Sequence, residues 1–216
     1  QHAGFLDTPE ETLCIVNGLG ATGYPMAAVA THYGFKVVGI NPSEGKRTFA
    51  QQQGACVETY STLAEIGDKV NNYKKVVVIV TADVPVAHEQ ALQFLNALPA
   101  TTERLAIIFG LFSDPHQALP FVPAPYDTMP QRDFVFSRQS CVTDAGITVT
   151  GVCGRDITAW EMLLKDLQPD TQGNPPHLVT MLNAAQYQVP STEALFAIAK
   201  TLNAGPKAVE ALLAEN

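Results

Sequence analysis

The chain has 216 residues, 46% of them apolar and 16% charged, enough for a sizeable buried core and opposed to disorder. Its formal net charge is −8 and its pI about 5.0, with no basic block, which argues against nucleic acid or anionic membrane surfaces as partners. No run approaches the ~18 apolar residues of a membrane span, so no membrane insertion is expected.

Residues 1–12 form a lead-in in which Thr8-Pro9-Glu10-Glu11 starts a turn or short helix. Gln1 is not Met, so the sequence is expected to continue upstream, and no signal peptide is visible. A strand over 13–17 runs straight into Gly18-Leu19-Gly20-Ala21-Thr22-Gly23, a G-x-G-x-x-G, and a helix over 21–33 follows, closed by Gly34. That order is what a dinucleotide-binding strand–turn–helix requires. Gly18 makes the tight turn, Gly20 leaves room for a pyrophosphate, and Gly23 lets helix and strand pack closely. The phosphates would sit at the helix N-terminus, where free N–H groups and the dipole favour negative charge. A plain strand–helix turn, or a loop for another anion such as coenzyme A, would use the same residues.

The second strand covers 35–40 and ends at Asn41 rather than at the Asp or Glu that holds an NAD ribose. Ser43, Lys46 and Arg47 follow, a hydroxyl and two cations suited to a 2′-phosphate. NADP(H) is therefore favoured over NAD(H). Glu44 is the local counter-argument, and a solvated turn opening a helix is the alternative. That helix runs from Glu44 to Gln53 and is stopped by Gly54, with a short strand at 55–58. Ser61 to Glu65 resembles a capping box one residue too long. A strand at 75–81, a helix from Pro85 to Ala97 and a strand at 104–110 continue the rhythm.

Between Ser113 and Pro130 lie five prolines, which exclude regular helix or central strand. This stretch is expected to wrap the surface, lid a site or meet a partner. Phe134-Val135-Phe136 and residues 146–152 read as β-rich, and Asp156 to Leu167 as a helix. Residues 169–176 break the chain. From His177 onward two or three helices are expected, one opened by Ser191-Thr192-Glu193 and one by Pro206. The expected organisation is a lead-in (1–12), a Rossmann dinucleotide-binding domain (13–168) and a helical tail (169–216). The expected fold is α/β, a Rossmann-like doubly wound parallel sheet with a helical C-terminal extension.

Cys14, Cys56, Cys141 and Cys153 are scattered and His2, His32, His88, His116 and His177 isolated, so no metal site is expected. Cys14 and Cys153 lie in apolar stretches as buried thiols. A reducing intracellular compartment, cytoplasmic or an organellar matrix, fits this usage. His32, near the end of the first helix, suits the dipole there.

Taken in order, the residues Val16 to Gly23, Gly34 to Asn41, Ser43-Glu44-Gly45-Lys46, Gln53-Gly54-Ala55, Arg104 to Gly110 and Ile147 to Gly151 resemble the cofactor domain of the medium-chain dehydrogenase/reductase superfamily. That family includes zinc alcohol dehydrogenases, quinone oxidoreductases and enoyl-thioester reductases. The resemblance covers roughly residues 10–168. It implies that Gly18, Gly20, Ala21, Thr22 and Gly23 cradle a pyrophosphate. Asn41, Ser43, Lys46 and Arg47 would meet a 2′-phosphate, and Thr81 and Gly110 would approach the nicotinamide. It also implies a homodimer paired through residues 147–152 as a sheet edge.

Gly18 to Ala27 is also similar to the glycine loop of the β-hydroxyacid dehydrogenases. Neither Lys200 nor Lys207 sits in a motif for that family's catalytic lysine. Gly39-Ile40-Asn41-Pro42 is similar to a turn of coenzyme A-binding ligase subunits. The barrel-like substrate domain of the medium-chain family has no counterpart here, so no catalytic residue is named. Two functions follow from the sequence: the NADP(H)-binding part of an oxidoreductase that transfers hydride to an enoyl, quinone or carbonyl acceptor, or a Rossmann-fold subunit kept for assembly in a larger complex. Coenzyme A binding is a third.

Overall fold

The computed structural model describes residues 7–153, 164–173 and 176–184. Four apolar runs become the heart of a seven-stranded sheet: β1 (Thr12–Asn17), β2 (Lys36–Ile40), β4 (Lys75–Val80) and β5 (Glu103–Ile108). Three short strands complete it, β3 (Glu58–Tyr60), β6 (Ser140–Val142) and β7 (Thr148–Gly151). The order across the sheet is β3-β2-β1-β4-β5-β7-β6, and every pairing is parallel except β6 with β7. The chain therefore steps outward from β1 through β2 to β3, returns to β4 on the other side of β1, and steps outward again. That reversal beside β1 is the mark of the Rossmann-like doubly wound fold.

Helices α1 (Gly23–His32), α2 (Glu44–Gln52), α3 (Pro85–Ala97), α4 (Gln131–Phe136) and α5 (His177–Ala184) provide the crossovers and covers. β1 is buried at every position, so its alternating side chains feed two cores. Leu13 and Ile15 join Val76, Val78, Ala91, Leu92 and Leu95 on one face. Cys14 and Val16 join Leu19, Ala27, Ala28, Ala50 and Leu178 on the other. α5 belongs to the second core, where Met181 is buried and its carbonyl accepts a hydrogen bond from the Tyr24 hydroxyl at 2.6 Å.

Several expectations are corrected. The strand expected at 55–58 starts only at Glu58, because Ala55 and Cys56 are buried and the ladder to β2 opens at Val38 and Glu58. Phe134 to Phe136 is helical rather than extended. Gln131, Phe134 and Val135 are all fully buried, the i, i+3, i+4 spacing of a helix face, and two neighbouring buried residues do not fit the alternation of a half-buried strand. The β6 strand was not expected, and it lies outside β7. Residues 147–152 are therefore not the free edge that the family resemblance implies. Thr62 precedes a 3-10 segment from Leu63 to Asn72 and makes no side-chain cap, so the expected capping box does not form there. The Thr62 hydroxyl instead donates to the Glu65 carboxylate at 3.0 Å, and the Ser61 hydroxyl donates to the same carboxylate. His32 does end α1, with its ring 4.0 Å from Asp166.

The proline-rich stretch carries only a three-residue turn, Tyr126–Thr128, and an isolated bridge between Ala118 and Pro130. Leu119 and Val122 anchor it in the first core. Most of the helix expected from Asp156 to Leu167, and everything after Ala184, including Ser191, Lys200, Pro206 and Lys207, lie outside the described residues. No helix among the described residues is long and apolar enough to cross a membrane.

Candidate functional site

The carboxyl ends of β1 and β4 diverge into their loops at the reversal, and a cleft of about 530 Å³ opens there. The glycine loop forms its floor. Gly18 sits at φ +108°, a conformation other residues rarely adopt. Its N–H donates to the Ile40 carbonyl of β2 at 2.8 Å, and its own carbonyl accepts from the Thr81 hydroxyl of the β4 exit at 2.8 Å. The loop is thus held between the strands on either side of β1.

The three motif glycines divide into two kinds. A Cβ on Gly23 would lie 1.6 Å from the Gly18 carbonyl oxygen, and one on Gly18 would lie 2.6 Å from the Thr81 hydroxyl. Those two are required by the protein's own packing. A Cβ on Gly20 would meet nothing within 4 Å. The fold does not need glycine there, so the space above Gly20 is open to something outside the chain. The N–H groups of Gly20, Ala21, Thr22 and Gly23 donate to no acceptor among the described residues. No acidic residue lies in the first turn of α1, and Thr22 makes no capping bond. A helix N-terminus with free donors, a bare backbone in front of it and no competing carboxylate fits a phosphate or pyrophosphate.

Nine of the eleven expected site residues line this one cleft: Gly18, Gly20, Ala21, Thr22, Gly23, Asn41, Lys46, Thr81 and Gly110. Ser43 and Arg47 do not. Arg47 Nη1 donates to the carbonyls of Asn41 at 2.7 Å and Pro42 at 2.8 Å, so this cation braces the turn after β2. The Asn41 side chain accepts from the Ser43 N–H at 2.9 Å, closing the same turn. Lys46 is left as the exposed cation at the β2 end. Thr81 spends its hydroxyl on Gly18 and Asn17 carbonyls, so its role is to hold the loop.

Ala82, Asp83, Phe109 and Leu111 also line the cleft and were not expected. The wall after β5 is fixed from behind. A Cβ on Gly110 would lie 2.1 Å from the Ala82 carbonyl oxygen, so the β4 and β5 exits are packed backbone to backbone. The fully buried Gln131 donates to the Gly110 carbonyl, and its Oε1 accepts from the Phe112 N–H at 3.1 Å. His88, also fully buried, packs edge-on against Phe112 with centroids 4.6 Å apart. Its Nδ1 is 3.2 Å from the Val84 carbonyl, its Nε2 makes no well-formed hydrogen bond among the described residues though the Gly110 backbone lies near the ring, and burial lowers its pKa from the usual 6.5. The sequence offered no signal for these groups, since Gln131 is followed by Arg132-Asp133 and His88 by Glu89-Gln90. None of residues 113–130 lines the cleft. Phe121, Val122 and Pro123 line a separate hollow of about 330 Å³ with Leu92 and Ile147. Among the described residues no group of three His, Cys, Asp or Glu side chains could hold a metal.

No protein-family model matches the chain, and no curated protein sequence does. Among solved structures it is similar to prephenate dehydrogenase from A. aeolicus, in complex with hydroxyphenyl propionate and NAD+, at 18% identity and a TM-score of 0.37. The match covers 46% of this chain and 33% of that one. It is also similar to an imine reductase from Pseudomonas sp., at 20% identity and a TM-score of 0.31, over 45% of this chain and 32% of that one. The matched part spans about a third of each of those structures. The fold assignment rests on the strand order.

Proposed function

We propose that this chain is the cofactor-binding domain of an NADP(H)-dependent oxidoreductase. The pyrophosphate would rest on the N–H groups of Gly20 to Gly23, with Gly18 shaping the turn. The adenosine 2′-phosphate would meet Lys46 beside Asn41 and Ser43, and the nicotinamide half would extend over Thr81 and Gly110. Arg47 would act through the shape of the turn. The observation that carries this reading is Gly20, a motif glycine whose missing side chain opens onto a cleft rather than onto protein. When bound, the dinucleotide supplies the hydride; this chain supplies binding, orientation and electrostatics. The finer assignment, a medium-chain-type reductase acting on an enoyl, quinone or carbonyl acceptor, rests on the order of its motifs in the sequence. Four free thiols, three of them buried, support a reducing compartment.

A second reading, an assembly subunit, is favoured by the apolar surface around the outer strand. Phe136, Val142 and Val152 are all exposed there. Thermal unfolding with saturating NADPH, NADH or coenzyme A separates the readings. A ligand at ~100 times its Kd adds about 2.7 kcal/mol. For a chain of this size that is roughly 5–10 °C. A shift with NADPH exceeding that with NADH supports the cofactor reading and the role of Lys46. A shift with coenzyme A alone turns the site into a thioester-carrier site. No shift with any ligand leaves the assembly role.

A further inference from the structure

The charged residues lining the cleft, among the described residues, are two: Lys46 at the β2 end and Asp83 at the β4 end. Two strand spacings separate these ends, about 10 Å at the backbone. Asp83 is exposed and forms no ion pair or hydrogen bond among the described residues. The obvious structural use for such a residue is as a helix cap. α3 begins at Pro85, its N-cap residue is Val84, and no side chain caps it, so Asp83 is not spent that way. The buried His88 feels the Asp83 charge, but burial outweighs it and disfavours the imidazolium. Among the described residues Asp83 therefore has no hydrogen-bond or ion-pair partner to compete with whatever enters the cleft beside Phe109, Gly110 and Leu111.

Resting on the cofactor reading above, we infer that Asp83 makes this cleft select the oxidation state of its dinucleotide, binding NADP+ in preference to NADPH. The nicotinamide ring carries a positive charge when oxidised and none after it has accepted a hydride. With the adenosine end at Lys46 and the pyrophosphate on the α1 N-terminus, the ring lies at the β4–β5 end, where the unpaired carboxylate is. The cleft is thus polarised to match the oxidised ligand: a cation for the phosphate end, an anion for the ring end. Asp83 acts on only one of the two redox forms; holding the oxidised form more tightly than the reduced one lowers the potential of the bound dinucleotide and so favours hydride donation to an acceptor. Substrates bearing a carboxylate near the reacting carbon are disfavoured beside it.

A single charge at a partly solvated site changes such a ratio by about three- to tenfold. The test is direct binding of NADP+ and NADPH to the purified chain by calorimetry, with bound NADPH also followed by its fluorescence. Asp83→Asn and Asp83→Ala are compared with the wild type. The expected result is that the ratio of Kd for NADP+ to Kd for NADPH rises three- to tenfold in both variants. The Kd for NADPH should stay within twofold, and the difference should shrink at high salt. Lys46→Ala should weaken both forms alike. An unchanged ratio in the Asp83 variants, with both forms still bound, overturns this inference and leaves the cofactor reading standing. Failure of the wild type to bind either form overturns both.

Discussion

Gly20 and Gly23 look equivalent in the sequence and should behave oppositely when replaced. Gly20→Val places its Cβ where nothing lies within 4 Å and its two methyl groups towards the open cleft, so the fold should accept it, with Tm within about 2 °C of the wild type. Those atoms stand where a pyrophosphate would approach the free amides. Losing two amide–phosphate bonds at about 1.5 kcal/mol each removes ~3 kcal/mol, more than a hundredfold in Kd. The stabilisation by NADPH should then vanish at concentrations that saturate the wild type. Gly23→Ala adds one carbon at 1.6 Å from a backbone carbonyl oxygen that no rotamer change can relieve. Moving that loop should cost about 3 kcal/mol, a fall of roughly 6–12 °C in Tm. The assay is one thermal-unfolding series of three proteins with and without NADPH. A Gly20→Val protein that loses stability as Gly23→Ala does, or that still responds to NADPH like the wild type, refutes the division of roles.

Lys46→Ala should weaken NADPH binding by about tenfold and leave NADH unchanged, whereas Arg47→Ala should lower stability without changing the preference between them; equal losses for both ligands in Lys46→Ala would remove Lys46 from the phosphate site. Gln131→Leu leaves the buried Gly110 carbonyl and Phe112 N–H without the amide that joins them, and should cost about 2–4 kcal/mol in urea denaturation; a change below about 0.5 kcal/mol would mean the clamp is not needed. His88 has a folded pKa below its unfolded value of 6.5, so its neutral form contributes stability above about pH 6.5 that is lost as the pH falls through the folded value. Replacing it by Phe should flatten the pH profile on that acidic side, and an unchanged slope would place the loss elsewhere. Burial pushes the Cys14 and Cys56 thiols up to about 12 and raises that of Cys141, while Cys153 is half-exposed. At pH 8 a thiol reagent should modify Cys153 promptly and the other three at the rate of unfolding.

What could be read in advance was what is written locally. β1, β2, β4 and β5 are uninterrupted apolar runs, and α1, α2 and α3 are bracketed by glycine or proline. β6 is three residues long with one buried side chain, too short for any alternation to register. α4 packs Phe134, Val135 and Phe136 together in sequence, which resembles a strand until Gln131 is placed on the same face. Its helical form depends on where Pro130 leaves the chain, and that is set by contacts with the body of the protein.

The same distinction explains why the floor of the cleft was legible and its far wall was not. Gly18, Gly20 and Gly23 act within six residues of one another, so their spacing carries their roles. Arg47 also acts locally, but on main-chain carbonyls, which have no letter in the sequence; its charge suggested a phosphate while its geometry serves the turn. Gly110, Ala82, Gln131 and His88 come from four separate segments and meet only because β4 and β5 are neighbours. Their joint effect is to make the β5 exit stiff. That stiffness matters for the inference about Asp83. Asp83 directly follows Ala82, whose carbonyl is packed against Gly110, so the backbone that carries the exposed carboxylate is anchored at the β5 exit. Anchoring its backbone keeps that charge at the end of the cleft where the two redox forms of the ligand differ by one charge.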